Sequence, residues 1–220
     1  MMRRPAKKLL TLILMGALYP AARWWFLRWG AEASDVDAAL PGDELIGNPT
    51  IVTTRAITIN ASPEAIWPWL VQMGQDRGGL YSYDWLESLC GLRFHNADRI
   101  VPEWQHLDVG DQIRAAPATA GPEAGFTVVA IDEYRSIVTA IGDPSRVLVE
   151  AKAGSLPEGG TWVFVLQPVD DHRTRLIVRL RANFGMPLVA EWISARVLEP
   201  IHFVMERKQL LGIRRRVTGN

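Results

Sequence analysis

At 220 residues the chain is long enough for one well-buried core and short enough not to require two. Its 24 basic and 24 acidic side chains give a formal net charge of zero, which excludes a global electrostatic pull toward nucleic acid or acidic ligands. Cys90 is the single cysteine, so an internal disulfide is excluded as well.

The first predicted element is hydrophobic. Arg3, Arg4, Lys7 and Lys8 precede an uncharged run of 14 residues from Leu9 to Ala22, shorter than the roughly 20 needed to cross a bilayer. Trp24, Trp25 and Trp29, three of the nine tryptophans, add the missing length, with Arg23 and Arg28 free to snorkel. Residues 1–30 are therefore expected to be a membrane anchor, with a cleaved signal peptide or an interfacial helix as alternatives. The basic residues ahead of the run place the N-terminus in the cytoplasm and the domain outside, and the membrane is a partner through Leu9 to Trp29. Residues 31–50, polar, acidic and broken by Pro41-Gly42, are expected to form a linker, part of which can fold back along a sheet. A single domain then spans residues 51–217.

Within the domain, Arg55 to Ile59 alternates as a half-buried strand does. Ser62 reads as a helix N-cap, Pro63 as the first helical position, and Glu64 as a carboxylate at the positive end of the dipole. Ile66, Trp67, Leu70 and Met73 make one apolar face, and Pro68 predicts a kink or a short segment. Gly74 and Gly78-Gly79 interrupt the pattern before a second helix expected from Tyr81. Further strands are expected at Gly110–Arg114, Gly125–Asp132, Ser136–Ile141 and Val147–Ala151. Thr161–Gln167 and Arg173–Ala182 form a hairpin, with Trp162, Phe164 and Leu166 on one face and Leu176, Val178 and Leu180 on the facing strand. The last segment, Leu188 to Val217, carries an apolar helical stripe of Val189, Ile193, Val197, Ile201, Val204 and Leu211, with Pro200 expected to kink it. That stripe is expected to pack on the strands and wall a cavity.

Taken in order, ASPEAIWPWLVQMG, GGLYSYDWLESL, ADRIVPEWQHLDVGDQI and EPIHFVMERKQLLGIRRR resemble bacterial members of the START-domain and polyketide-cyclase superfamily, SRPBCC. The likeness covers Asp43 to Arg216. It implies an α+β helix-grip fold, in which a curved antiparallel sheet wraps a long C-terminal helix around an apolar cavity. Relatives of this kind include lipid carriers and polyketide cyclases. The resemblance thus implies a hydrophobic small molecule or lipid as partner.

The chemistry-bearing residues leave few specific patterns. His95, His106, His172 and His202 lack zinc-ligand spacing, and Glu199-Pro-Ile-His202 has a Glu-x-x-His form without the matching carboxylates of a di-iron bundle. No metal and no cofactor is expected. Gly74-Gln-Asp-Arg-Gly-Gly follows a helix and lacks a Lys-Ser/Thr pair, so it reads as a turn and not a phosphate loop. What remains is the polar and aromatic cluster of Tyr81, Tyr83, Asp84, Trp85, Glu87, His95, Asp98 and Arg99. Such groups orient a ligand in an apolar pocket, or else brace the helix against the following loop. From this cluster Tyr81, Tyr83, Asp84, Trp85, His95 and Arg99, with Trp162, Glu199 and His202 added from the strands and last helix, make the candidate ligand-binding set. Three functions are compatible. One is a membrane-tethered binding module for an apolar or amphipathic molecule; another is a cyclase or dehydratase using His95, Asp98 or Glu199 as general acid or base; the third is a protein-interaction domain with a filled core.

Overall fold

The computed structural model describes residues 18–83, 95–115, 121, 124–156 and 158–219. Their alternating and β-branched runs form six strands: β1 (Ile51–Ile59), β2 (Gln112–Arg114), β3 (Gly125–Asp132), β4 (Ser136–Ile141), β5 (Gly159–Asp170) and β6 (Arg173–Asn183). They make one sheet in the order β1-β6-β5-β4-β3-β2, antiparallel at every junction. The expected β5–β6 hairpin forms, and its register sets Trp162 opposite Leu180, Phe164 opposite Val178 and Leu166 opposite Leu176.

Residues 18–27 are helical (α1). They are followed by α2 (Ala33–Asp37), α3 (Pro63–Val71), α4 (Pro144–Lys152) and the long α5 (Leu188–Thr218). The protein is thus α+β, with a long C-terminal helix. One face of the sheet supplies Ile57, Ile59, Val128, Phe164, Leu176 and Val178 to the main core, and α3 and the end of α5 supply Ile66, Leu70, Leu210 and Ile213. Pro63 takes the first position of α3, as expected, and Pro68 lies within it.

Four expectations are corrected. Val147–Ala151 is helix, not strand: the Asp143 side chain accepts from the Ser145 amide, Pro144 opens the turn, and in α4 only Val147 is buried. Tyr81 has a left-handed φ of 57°, and residues 81–83 are not helical, so no helix starts there; residues 84–94 lie outside the described part. The stretch read as a linker is packed on the sheet. Arg175 pairs with Asp35, Arg179 with Asp43, and Leu40, Leu45 and Ile46 are buried. Burying those apolar groups and satisfying β6's arginines holds the segment in place.

The fourth correction concerns α5. The stripe expected to face the strands faces outward over most of its length: Val189 is 72% exposed, Ile193 and Val197 each 49%, and Ile201 and Val204 each 44%. The buried side of the helix carries Ser194, Glu199, Glu206 and Gln209 before it turns apolar at Leu210 and Ile213. The helix runs unbroken through Pro200.

No helix among the described residues is long and apolar enough to cross a membrane. Of the expected anchor, residues 1–17 lie outside the described part. The rest, α1, lies along α5. Tyr19 hydroxyl donates to the Ala195 carbonyl, Arg23 pairs with Glu199 at 2.7 Å, and Trp25, Phe26 and Trp29 gather around Phe203. Arg23 is therefore held against α5.

Candidate functional site

β1 alternates, so Thr53, Arg55, Ile57 and Ile59 project from the same side, and all four are buried. A guanidinium in that company needs a partner, because an unpaired buried charge is costly. The partner is Glu206 of α5. Arg55 Nη1 donates to Glu206 Oε2 at 2.5 Å, with side-chain exposures of 0% and 1%. Arg55 Nε donates to the Phe26 carbonyl at 2.8 Å, which ties α1 to the same point. Arg55 Nη2 has no hydrogen-bond partner among the described residues.

Two further groups converge on Glu206. Trp162 Nε1 of β5 donates to Oε1 at 2.9 Å. His202, one helical turn earlier, places Nε2 at 3.4 Å from Oε1 and Nδ1 at 3.2 Å from Arg55 Nη1. Burial pushes the Glu206 pKa up, but the charges of Arg55 and His202 and the hydrogen bonds from Arg55 and Trp162 outweigh it and hold the carboxyl below its ordinary value. His202 is pushed down by desolvation, reinforced by Arg55 and opposed by Glu206 and Glu199. At neutral pH the cluster therefore holds a carboxylate and a neutral imidazole.

This cluster forms the polar corner of a cavity of about 170 Å³ between the sheet and α5. Leu80, Phe126, Trp162 and Met205 make its apolar wall, while Ser82, His202, Glu206 and Gln209 are its polar lining. Trp162 packs between Phe126 and Phe164 at 4.8 and 4.5 Å between ring centres, so its indole is fixed. An apolar engineered cavity of about 150 Å³ accommodates benzene, which sets the scale of what fits.

Of the residues singled out in the sequence, Trp162 and His202 meet at this cavity. Glu199 does not line it; it is buried against Arg23 on the side of α1. Tyr81 is structural. Its hydroxyl donates to the Trp69 carbonyl at 2.9 Å, its ring meets Trp69 and Arg216, and burial raises its pKa. Tyr83 lies under the Lys208 ammonium at 5.3 Å. His95, Asp98 and Arg99 are exposed, and the Arg99 carbonyl accepts from Gln72. Asp84, Trp85 and Glu87 lie outside the described residues. No cluster of three or more metal-ligating side chains occurs among the described residues.

Arg55 and Glu206 were missed, although both carried a signal. An arginine in register with Ile57 and Ile59 on a strand, and a glutamate one turn after a histidine on a helix, each ask for a buried partner.

No family model matches the chain, and no curated protein does. Among solved structures, a conserved protein from Geobacillus kaustophilus is 14% identical, covering 77% of this chain and 96% of that one at a TM-score of 0.42. A protein from Nitrosomonas europaea is 11% identical, covering 77% and 95% at 0.43, and one from Mesorhizobium loti is 13% identical, covering 77% and 98% at 0.40.

Proposed function

We propose that the protein is a membrane-tethered binding module for a compact apolar or amphipathic small molecule, held in a helix-grip cavity of the SRPBCC type. The observation that carries this reading is the polar corner of Glu206, His202 and Trp162 in an otherwise apolar cavity, the usual construction of a small-molecule site. The apolar wall takes a ring or chain end. The corner orients one polar group: Glu206 accepts, and neutral His202 donates or accepts. The motif series along the chain and the antiparallel sheet with its long C-terminal helix support the family assignment. The basic residues and the apolar run from Leu9 to Ala22 support the tether, with the N-terminus cytoplasmic and the domain outside.

The test is organic extraction of the full-length chain, purified in detergent, with mass spectrometry of what is released. Met205→Trp, which fills the cavity wall, serves as comparison. A compound carried by the native chain and lost from Met205→Trp is expected; equal recovery from both overturns the binding reading.

One observation favours a second reading, a cyclase- or dehydratase-type enzyme. His202 lies at the cavity with its pKa lowered, next to a carboxylate, which suits a general base. Under that reading the released compound is converted on incubation with the native chain and not with His202→Asn. Recovery of the unchanged compound from both eliminates it.

A further inference from the structure

The exposed stripe of α5 is unusual because its helix is reversed in polarity. Its inner face carries Glu199 and Glu206, and its outer face carries Val189, Ile193, Val197, Ile201 and Val204, while Leu188 and Trp192 lie on the side of Ala195 and Glu199. Single exposed apolar residues need no explanation, but a run along more than three turns of one helix does.

α1 continues this surface. Tyr19 meets Ala195 and Arg23 meets Glu199 at the same sequence offset of 176, so the two helices run parallel and in step. The chain consequently enters α1 at the end where Leu188, Val189 and Trp192 are exposed, and what precedes it in sequence is the apolar run from Leu9 with its four basic residues. Leu18, Trp24 and Trp25 are exposed on α1 at 64%, 62% and 53%.

The charge beside the stripe is positive. Arg28 and Arg196 line an open cleft of about 620 Å³ between α1, α5 and the sheet. Arg28 lies over the Trp24 ring at 5.3 Å, and Arg196 over Trp192 at 4.0 Å and Tyr19 at 5.2 Å. No carboxylate of the described residues pairs with either. Apolar side chains flanked by tryptophan and arginine are the composition of a helix lying in a bilayer interface.

We propose that α1 and the first half of α5 form a docking face for an anionic lipid bilayer, with the α5 stripe at the acyl boundary and Arg28 and Arg196 on lipid phosphates. The inference rests on the tether in that the apolar run leading into α1 brings this face to the membrane. The cavity residues His202 and Met205 lie on the same helix just beyond Ile201, so docking places the cavity beside the lipid.

The test uses the full-length chain in vesicles of phosphatidylcholine and phosphatidylglycerol. Cys90 is replaced by serine, and a polarity-sensitive dye is attached at Ile193→Cys or, as control, at Glu133→Cys in the exposed β3–β4 turn. The expected result is blue-shifted emission and quenching by lipid-borne nitroxides at position 193 and neither at position 133. Arg28→Gln with Arg196→Gln is expected to shift the docked-to-undocked ratio toward the aqueous state by more than about tenfold, since each basic residue near an anionic surface is worth about fivefold. A chain that floats with the vesicles while position 193 stays aqueous overturns the docking face and leaves the tether standing. A chain that does not float overturns the tether and the docking together. Shielding of position 193 without vesicles, in a dimer seen by light scattering, assigns the face to a second copy and overturns the lipid assignment.

Discussion

Arg55 and Glu206 each occupy a place where water is absent, and each is tolerable only because the other is present. Breaking a buried pair leaves one charge uncompensated, at a cost of about 3–5 kcal/mol, whereas replacing both with apolar groups of similar size is often neutral or better. Chemical denaturation is therefore expected to show Glu206→Gln and Arg55→Met each destabilised by about that amount, and Arg55→Met with Glu206→Leu far less than their sum. Additive losses would mean that the two residues are not a unit. The same cluster sets an acid response in two steps. The folded His202 resists protonation, so stability falls as pH drops from its ordinary 6.5 toward its lowered folded value, and stays down below it. Glu206 adds stability that is complete above its ordinary 4.5 and is lost as pH falls through its lowered folded value. In His202→Gln the first step is expected to vanish and the second to remain, read from denaturation midpoints across pH. The sequence made His202 and Trp162 visible by type. It hid their meaning, because the pairing that gives it joins β1 to α5 across 151 positions.

Elements were legible where local pattern and tertiary context agree. The β5–β6 hairpin and the start of α3 follow from alternation and capping residues, which need no distant partner. α4 was not, because Val147-Leu148-Val149 is a short apolar run that a strand or a helix can carry equally well. The Asp143-Pro144-Ser145 start signal decides it. α5 was legible as a helix and misread as a surface. A periodic stripe shows amphipathicity without showing which side faces the protein, and here Arg23 and Arg55 draw the carboxylates inward. Farther along α5, Gly212 sits against the chain that follows α3. Helix propensity alone favours Gly212→Ala by about 1 kcal/mol. A methyl group there, however, would lie 2.7 Å from the Tyr81 carbonyl oxygen and 3.1 Å from its Cβ. Thermal unfolding is expected to show net destabilisation of about 1–3 kcal/mol, because backbone must move to admit it. A raised melting temperature would show that the close approach is not maintained.

Across the whole molecule, the segment from Gly30 to Ile46 decides how α1 and the sheet are joined. It looks like a linker by composition, and composition cannot report that β6 carries arginines on the opposite face of the sheet from the cavity. Arg179 is the centre of that attachment. Its side chain is 4% exposed, and it donates to the carbonyls of Asp35, Val36 and Ala38, to the Asp43 carboxylate and to the Thr54 hydroxyl. Those five bonds match the five donors of a guanidinium, and a lysine ammonium has three without the planar fork. Arg179→Lys is therefore expected to release the segment while the sheet keeps its other pairings. Hydrogen exchange should show residues 31–46 losing protection by at least tenfold, with β5 and β6 little changed. The ordering has a consequence for α1, which reaches the core through the Phe26 carbonyl on Arg55 and through the Trp29 carbonyl on the Ala56 amide. If the segment is a strap separate from those anchors, α1 protection survives in Arg179→Lys. If α1 exchanges along with residues 31–46, the strap and the helix open as one unit, and α1 is held on the domain by Arg179.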